Sequence, residues 1–264
     1  MQPDPVDEVD VAQTRAVLDT MAAHGPPPLP VGVVEDGRLG GVAVRTFHPP
    51  APVGTTLVWA HGGGWVAGTL DVADPLCRLL VQATGRTVVA VDYRLAPEHP
   101  FPAGLEDLLA VLDALNGPVA VGGDSAGGAL AAVAARLRSG LTAQVLLCPL
   151  LDATLSSPSV AARATGFGLT RRTLEQFVEL YGGDPADTRV SPLLAPDLAG
   201  VAPAVVVTGG LDPLAGDGER YVARLRAAGV TVAHRCWAGA GHGFVGMGSA
   251  DSDQALAWLG EQLT

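Results

Sequence analysis

Gly123-Asp124-Ser125-Ala126-Gly127-Gly128 sets a serine among glycines, directly after the apolar run Val119–Val121 and directly before a helical stretch, Ala126–Arg138. A strand that turns at once into a helix leaves no room for side chains at the flanking positions. Glycine at 123 and 127 fits that demand, and the turn thrusts Ser125 outward as a nucleophile. Its hydroxyl would stand at the positive end of the helix, where a developing oxyanion is stabilised. The bare Gly-x-Ser-x-Gly pattern is weak, since a chain with 34 glycines supplies about 0.1 matches by chance. The plain alternative is a glycine-rich loop without chemistry.

His61-Gly62-Gly63-Gly64-Trp65 follows the run Thr55–Ala60, at the carboxyl end of a sheet strand, where open α/β sheets gather their ligands. Glycines there free backbone N–H groups to converge. Those of Gly62 and Gly63, with that of Ala126, are the expected donors to a tetrahedral oxyanion, each worth about 3 kcal/mol of barrier. A serine also needs a base, and His242, in Gly241-His242-Gly243-Phe244 after the last strand, is the best placed of the six histidines. His61 is expected to orient the glycine loop, His99 to be a hydrogen-bonded loop residue, and His24, His48 and His234 to lie on the surface. Asp212, in Gly209-Gly210-Leu211-Asp212-Pro213, would fix the imidazole tautomer. Asp217 is its rival, but sits where it would cap the next helix. The resulting order is Ser125, Asp212, His242. With no His-x-x-x-His or Cys-x-x-Cys pair and no dense acidic cluster near a histidine, no metal is expected.

These groups need a scaffold. Apolar runs at Thr55–Ala60, Thr87–Val91, Val119–Val121, Ala143–Leu147, Ala204–Val207 and Thr231–Cys236 are mostly unbroken, as in strands covered on both faces. Helical stretches at Pro75–Ala83, Ala103–Leu115, Ala126–Arg138, Asp217–Ala228 and Ala250–Leu263 separate them, which predicts an α/β architecture with a mostly parallel sheet. Before them come an amphipathic helix over Val9–Ala23, a break at Gly25-Pro26-Pro27-Pro28, and a hairpin of Val31–Val34 with Gly41–Phe47 turning at Asp36-Gly37. From Asp152 to Asp197 the rhythm stops, leaving only a helix at Arg172–Tyr181, which reads as an inserted lid.

At 264 residues, 48% hydrophobic, the chain can bury the core of one domain. A formal charge of −11 is the wrong sign for nucleic acid or an anionic membrane surface. All 16 basic residues are arginine, which removes Schiff-base, pyridoxal and phosphate-loop lysine chemistry. No run of about 18 apolar residues is present, and Met1–Asp10 carries four acidic groups, so neither a membrane span nor a secretory signal is expected. Cys77, Cys148 and Cys236 are odd in number and far apart, as reduced, packed thiols of a cytoplasmic protein would be.

Four motifs in this order resemble those of the hormone-sensitive-lipase-like family of α/β-hydrolases, whose bacterial members are carboxylesterases. They are His61 to Trp65; Asp92-Tyr93-Arg94-Leu95-Ala96-Pro97-Glu98 continuing to Pro100-Phe101-Pro102-Ala103; Gly123 to Gly128; and Asp212-Pro213-Leu214 with His242-Gly243-Phe244. Ser191-Pro192-Leu193-Leu194 after the lid is a further likeness, and the match runs from about Val31 to Thr264. The resemblance implies an α/β-hydrolase fold with a mostly parallel eight-stranded sheet, flanking helices and a small helical cap. It would be a single domain, with residues 1–30 a reduced N-terminal cap segment and 152–198 the cap insertion. It implies Ser125 as nucleophile, His242 as base, Asp212 as orienting acid, and Gly62, Gly63 and Ala126 as oxyanion donors. No cofactor is implied, and the partner is a small-molecule ester, with a homodimer left open. Trp65 and, from the cap, Phe167 or Leu169 are the expected lining of a short acyl pocket. Gly216 departs from the acidic residue that relatives often carry. An amidase, formamidase or carbamate hydrolase on the same triad is the alternative, ahead of a non-catalytic binding protein.

Overall fold

The computed structural model describes residues 9–165 and 169–263. The chain runs through helix α1 (Val11–Ala23), strands β1 (Val33–Leu39), β2 (Val42–His48) and β3 (Thr56–Ala60), then α2 (Leu70–Thr84), β4 (Val88–Val91), α3 (Ala103–Ala114), β5 (Val119–Asp124) and α4 (Ala126–Leu137). It continues through β6 (Gln144–Leu147), α5 (Pro158–Ala162), α6 (Arg171–Tyr181), a 3₁₀ turn at Pro192–Leu194, β7 (Ala204–Gly209), α7 (Ala215–Ala227), β8 (Val232–Trp237) and α8 (Ala250–Leu263). The strands form one sheet in the order β1-β2-β4-β3-β5-β6-β7-β8, antiparallel at β1–β2 and β2–β4 and parallel elsewhere.

Strands β4, β6 and β7 are buried along their whole length. Alternate residues feed opposite faces, as the pleat requires. Val58, Leu146 and Val206 pack with Leu108, Leu130 and Tyr221 of α3, α4 and α7. Their neighbours Leu57, Val145 and Val207 pack with Leu80 and Leu259 of α2 and α8.

Two local expectations are corrected. The hairpin turns at Gly40-Gly41, whose φ angles of 57° and 84° supply the consecutive left-handed residues of a tight hairpin. Asp36 and Gly37 instead lie within β1, opposite Arg45 and Val44, and the Asp36 carboxylate pairs with Arg45 at 2.7 Å. Helix α2 opens at Leu70 rather than Pro75, because Thr69 Oγ1 accepts the Val72 N–H at 3.2 Å and caps it. Pro75 forfeits only a bond to Asp71, in the exposed first turn.

Two segments lie over the carboxyl ends of the strands. The stretch between β6 and β7 carries α5, α6 and the 3₁₀ turn, and α6 buries Leu174, Val178 and Tyr181 on one face. Helix α1 buries no residue fully and is fastened by Arg15. Its Nε donates to the Val66 carbonyl at 2.8 Å, and its fork grips Glu98 at 2.8 and 2.7 Å. No helix among the described residues is long and apolar enough to cross a membrane.

Helix α4 starts hard against the end of β3. A Cβ on Gly127 would overlap the carbonyl oxygens of Ala60 and His61, whereas one on Gly239 would meet nothing within 4 Å. Gly127→Ala should therefore destabilise by about 3 kcal/mol in urea unfolding, and Gly239→Ala by no more than about 0.5 kcal/mol.

Candidate active site

Ser125 joins β5 to α4 with φ 53° and ψ −118°, a positive-φ conformation that costs a non-glycine residue energy. The surroundings fix it there. Its N–H donates to the Leu147 carbonyl at 2.9 Å, and its carbonyl accepts from Leu150 at 3.1 Å and Ala129 at 3.3 Å. Ser125 is partly exposed, while Gly123 and Ala126 are buried.

His242 stands in the loop after β8. Its Nε2 lies 2.9 Å from Ser125 Oγ and its Nδ1 lies 2.9 Å from Asp212 Oδ2. Asp212 is fully buried, and its other oxygen accepts the Leu214 N–H at 2.8 Å. An ionised carboxylate can only accept, so Nδ1 carries the proton and Nε2 offers its lone pair to the serine hydroxyl. Burial pushes the His242 pKa down, but the charge of Asp212, its hydrogen bond and the charge of Asp124 together hold it above the ordinary histidine value. The three residues that the sequence nominates thus meet in one hydrogen-bonded row.

The glycine loop differs from expectation at Gly62. Its N–H is already spent on Asp124 Oδ2 at 3.0 Å, while Trp59 Nε1 donates to the other oxygen at 3.1 Å. Among the described residues, the N–H groups of Gly63, Gly64 and Ala126 donate to no protein acceptor. Gly63 and Gly64 have φ of 116° and 63°, and the Gly63 carbonyl is tied back by Val66 and Ala67 at 3.1 and 3.0 Å. His61 supports the loop as expected: its Nδ1 lies 2.7 Å from the Gly62 carbonyl and its ring stacks on Tyr93 at 4.4 Å. His234 is not a simple surface residue, since it is half-buried with Nε2 3.0 Å from Thr208 Oγ1.

A cavity of about 320 Å³ opens on Ser125 and His242. Leu18 of α1, Leu76 of α2, Leu174 and Phe177 of α6, and Leu169 form its apolar walls. Of the residues the sequence proposed for it, Leu169 is in place and Phe167 lies outside the described residues. Trp65 is a correction: it is 1% exposed and stacked on Tyr181 at 4.3 Å, so it anchors α6 from below instead of facing the cavity. Phe177 was not anticipated. Its ring lies over Gly64, where a Cβ would strike it, and the Leu-x-x-Phe-Val spacing of α6 is the signal that could have found it. A wider groove of about 730 Å³ beside α2 holds no such group, and its Arg45 and Arg78 are ion-paired with Asp71 and Asp74.

Asp217 occupies the first turn of α7 but does not cap it. Its carboxylate accepts the N–H groups of Leu151 and Asp152 at 2.9 and 3.0 Å, and the Ser157 hydroxyl. Burial pushes its pKa up to about 7. Gly216 is small because Ser159 fills the space beside it, bonding the Gly216 N–H at 3.0 Å and the Pro213 carbonyl at 2.6 Å. That bond braces the loop carrying Asp212 without an acidic residue. Of the thiols, Cys77 and Cys148 are buried and Cys236 is exposed, contrary to the expectation of three packed cysteines.

The sequence profile of a family with the α/β-hydrolase fold matches residues 57–246. The chain belongs to the hormone-sensitive-lipase-like family of α/β-hydrolases. Among its relatives in that family, carboxylic ester hydrolase LipN of Mycobacterium tuberculosis is 41% identical over 89% of this chain and 69% of its own. Ethyl acetate hydrolase of Pseudomonas putida is 37% identical over 83% of this chain and 77% of its own. An ester hydrolase from the metagenome of Lake Arreo, solved with a bipyridine phosphonate derivative, superposes with a TM-score of 0.88 at 34% identity, covering 99% of this chain and 93% of that one.

The protonation of this row can be read without substrate. In an NMR titration, the His242 ring should stay protonated to higher pH than a free histidine, whose pKa is about 6.5. Asp212→Asn removes the charge that holds the imidazolium, so the midpoint should then fall below that value. A midpoint unmoved by the substitution would dissociate Asp212 from His242.

Proposed function

We propose that the chain is a serine carboxylesterase that hydrolyses short-chain acyl esters through an acyl-enzyme. The observation that carries this reading is the row Ser125 Oγ, His242 Nε2, His242 Nδ1 and Asp212 Oδ2, joined at 2.9 Å and 2.9 Å at the mouth of an apolar cavity. Ser125 Oγ attacks the ester carbonyl carbon while its proton passes to Nε2. The carbonyl oxygen becomes an oxyanion, held by the N–H groups of Ala126, Gly63 and Gly64, with Gly62 committed to Asp124. Collapse of the intermediate expels the alcohol, which takes the proton from Nε2. Water then gives its proton to Nε2, attacks the acyl carbon and releases the acid, restoring the serine. Relatives named as ester and ethyl acetate hydrolases support the ester as the bond cleaved.

In this reading the described parts of residues 1–30 and 152–198 act as the cap, since Leu18 of α1 and Leu174 and Phe177 of α6 wall the cavity. A buried methylene contributes about 0.8 kcal/mol, so efficiency climbs with acyl length only while the wall can cover the chain. Some 320 Å³, shared with the alcohol portion, covers only a short one.

Ser125→Ala should lower hydrolysis by about 10⁴-fold or more and abolish labelling by a fluorophosphonate, with the fold retained in circular dichroism. Asp212→Asn should cost orders of magnitude in kcat. If Asp217→Asn is the more damaging at equal stability, the acid is misassigned.

Across an acyl series from acetate to laurate with one leaving group, kcat/KM should peak at about two to six carbons and then fall. A maximum at ten or more carbons would refute the small pocket. Matched amide and carbamate substrates in the same assay separate the ester reading from its alternative.

A further inference from the structure

Cys148 follows β6 with φ 43°, a left-handed conformation rare for a residue with a side chain, and its N–H is fixed to the Val207 carbonyl at 2.8 Å. That backbone sets Cys148, a 3% exposed residue at the edge of the core formed with Leu147 and Val207, behind the catalytic row. Cys148 Sγ, a carboxylate oxygen of Asp212 and a ring nitrogen of His242 all lie within 4.8 Å of one another. No short sequence spacing announces this trio, because its members come from the ends of three different strands. A second observation concerns space. A cavity of about 30 Å³, room for one water or one ion, is lined by Cys148, His242, Ser125 and Gly243. The last three also line the substrate cavity, so the small chamber adjoins a route from solvent.

We propose that Cys148, Asp212 and His242 form a binding site for a soft divalent cation, Zn²⁺ or Cd²⁺, whose occupation switches the enzyme off. Thiolate, imidazole and carboxylate are the three donor types of zinc sites that keep a fourth position open, and the small chamber supplies that position. With Zn–S of about 2.3 Å and Zn–N of about 2.0 Å, tetrahedral neighbours stand about 3.5 Å apart, so no separation within the trio has to contract by more than about 1.3 Å. The charges close. Cys148 yields its proton to solvent, and the resulting thiolate and the Asp212 carboxylate neutralise the dication in a buried setting. His242 keeps its single proton but moves it from Nδ1, now a ligand, to Nε2. Nε2–H then donates to Ser125 and can no longer accept the serine proton. The inhibitory half of this inference rests on the esterase reading, whereas binding does not.

Cd²⁺ is the probe, since its thiolate complex has an ultraviolet charge-transfer band. The exposed Cys236 is removed throughout by Cys236→Ser. In a Ser125→Ala, Cys236→Ser protein, which needs no esterase activity, Cd²⁺ should raise the band with one equivalent. Adding Cys148→Ser should abolish it and weaken binding at least tenfold by calorimetry. A band that is absent, or that survives Cys148→Ser, overturns the site. Should Cys148→Ser unfold, blocking of Cys148 alkylation by Cd²⁺ in the parent protein decides the same point, and unprotected alkylation overturns it. With Ser125 intact, Cd²⁺ should inhibit ester hydrolysis reversibly by chelator. Each variant is compared with its own metal-free rate, and Cys148→Ser should shift the inhibiting concentration at least tenfold. A band with full hydrolysis would mean that Nδ1 is not a ligand and would refute the three-donor site. A protein that hydrolyses no ester at all would fail the functional reading and leave the band to decide this one.

Discussion

The site depends on a backbone contact between the first turn of α4 and the last residues of β3, where Gly127 presses against the Ala60 and His61 carbonyls with nothing but hydrogen between. Gly123 makes the same approach from the other side of the turn. Because the helix enters so close to the sheet, the residue between must take positive φ, and Ser125 does. The same contact brings the glycine loop after β3 alongside the start of α4, so that Gly63 and Gly64 line one cavity with Ser125. Asp124 then ties the two segments together through Gly62 and Trp59. A strained serine and a row of unspent donors are thus two results of one packing constraint.

The second requirement is electrostatic. Asp212 is a fully buried carboxylate whose partners are the His242 ring and the Leu214 N–H, so its charge is felt at short range and with little screening. The loop that carries it is braced by Ser159, and the neighbouring Asp217 spends its carboxylate on Leu151, Asp152 and Ser157 at the root of the insertion between β6 and β7. The two acids near the end of β7 therefore divide the work: one faces the histidine and the other anchors the segment that roofs the cavity.

What could be read from the sequence was what neighbouring residues decide. Buried parallel strands announce themselves as unbroken apolar runs, and the elbow and the glycine loop are local motifs whose backbone demands are written in adjacent residues. Even the row Ser125, Asp212, His242 followed, because each member sits at the end of a strand whose place in an α/β sheet is constrained. The failures are cases in which a distant partner decides. Trp65 looks like a pocket residue until Tyr181 arrives to stack on it. Gly62 looks like a donor until Asp124 claims its N–H. Asp36-Gly37 is a sound turn signal outcompeted by Gly40-Gly41, and then held in the strand by Arg45. Cys148 is silent in sequence because its neighbours lie far along the chain.

The two walls of the cavity are attached by different forces. Helix α6 buries Leu174, Val178 and Tyr181, an apolar attachment that dissolved salt leaves almost untouched. Helix α1 buries nothing fully and is moored by Arg15 to a half-exposed Glu98, a pair of full charges within reach of counter-ions. At physiological ionic strength the screening length is about 8 Å, and it shortens to about 3 Å near 1 M. Rising salt weakens the mooring of one wall and spares the other, so the two walls of the cavity answer differently to the ionic composition of the surroundings.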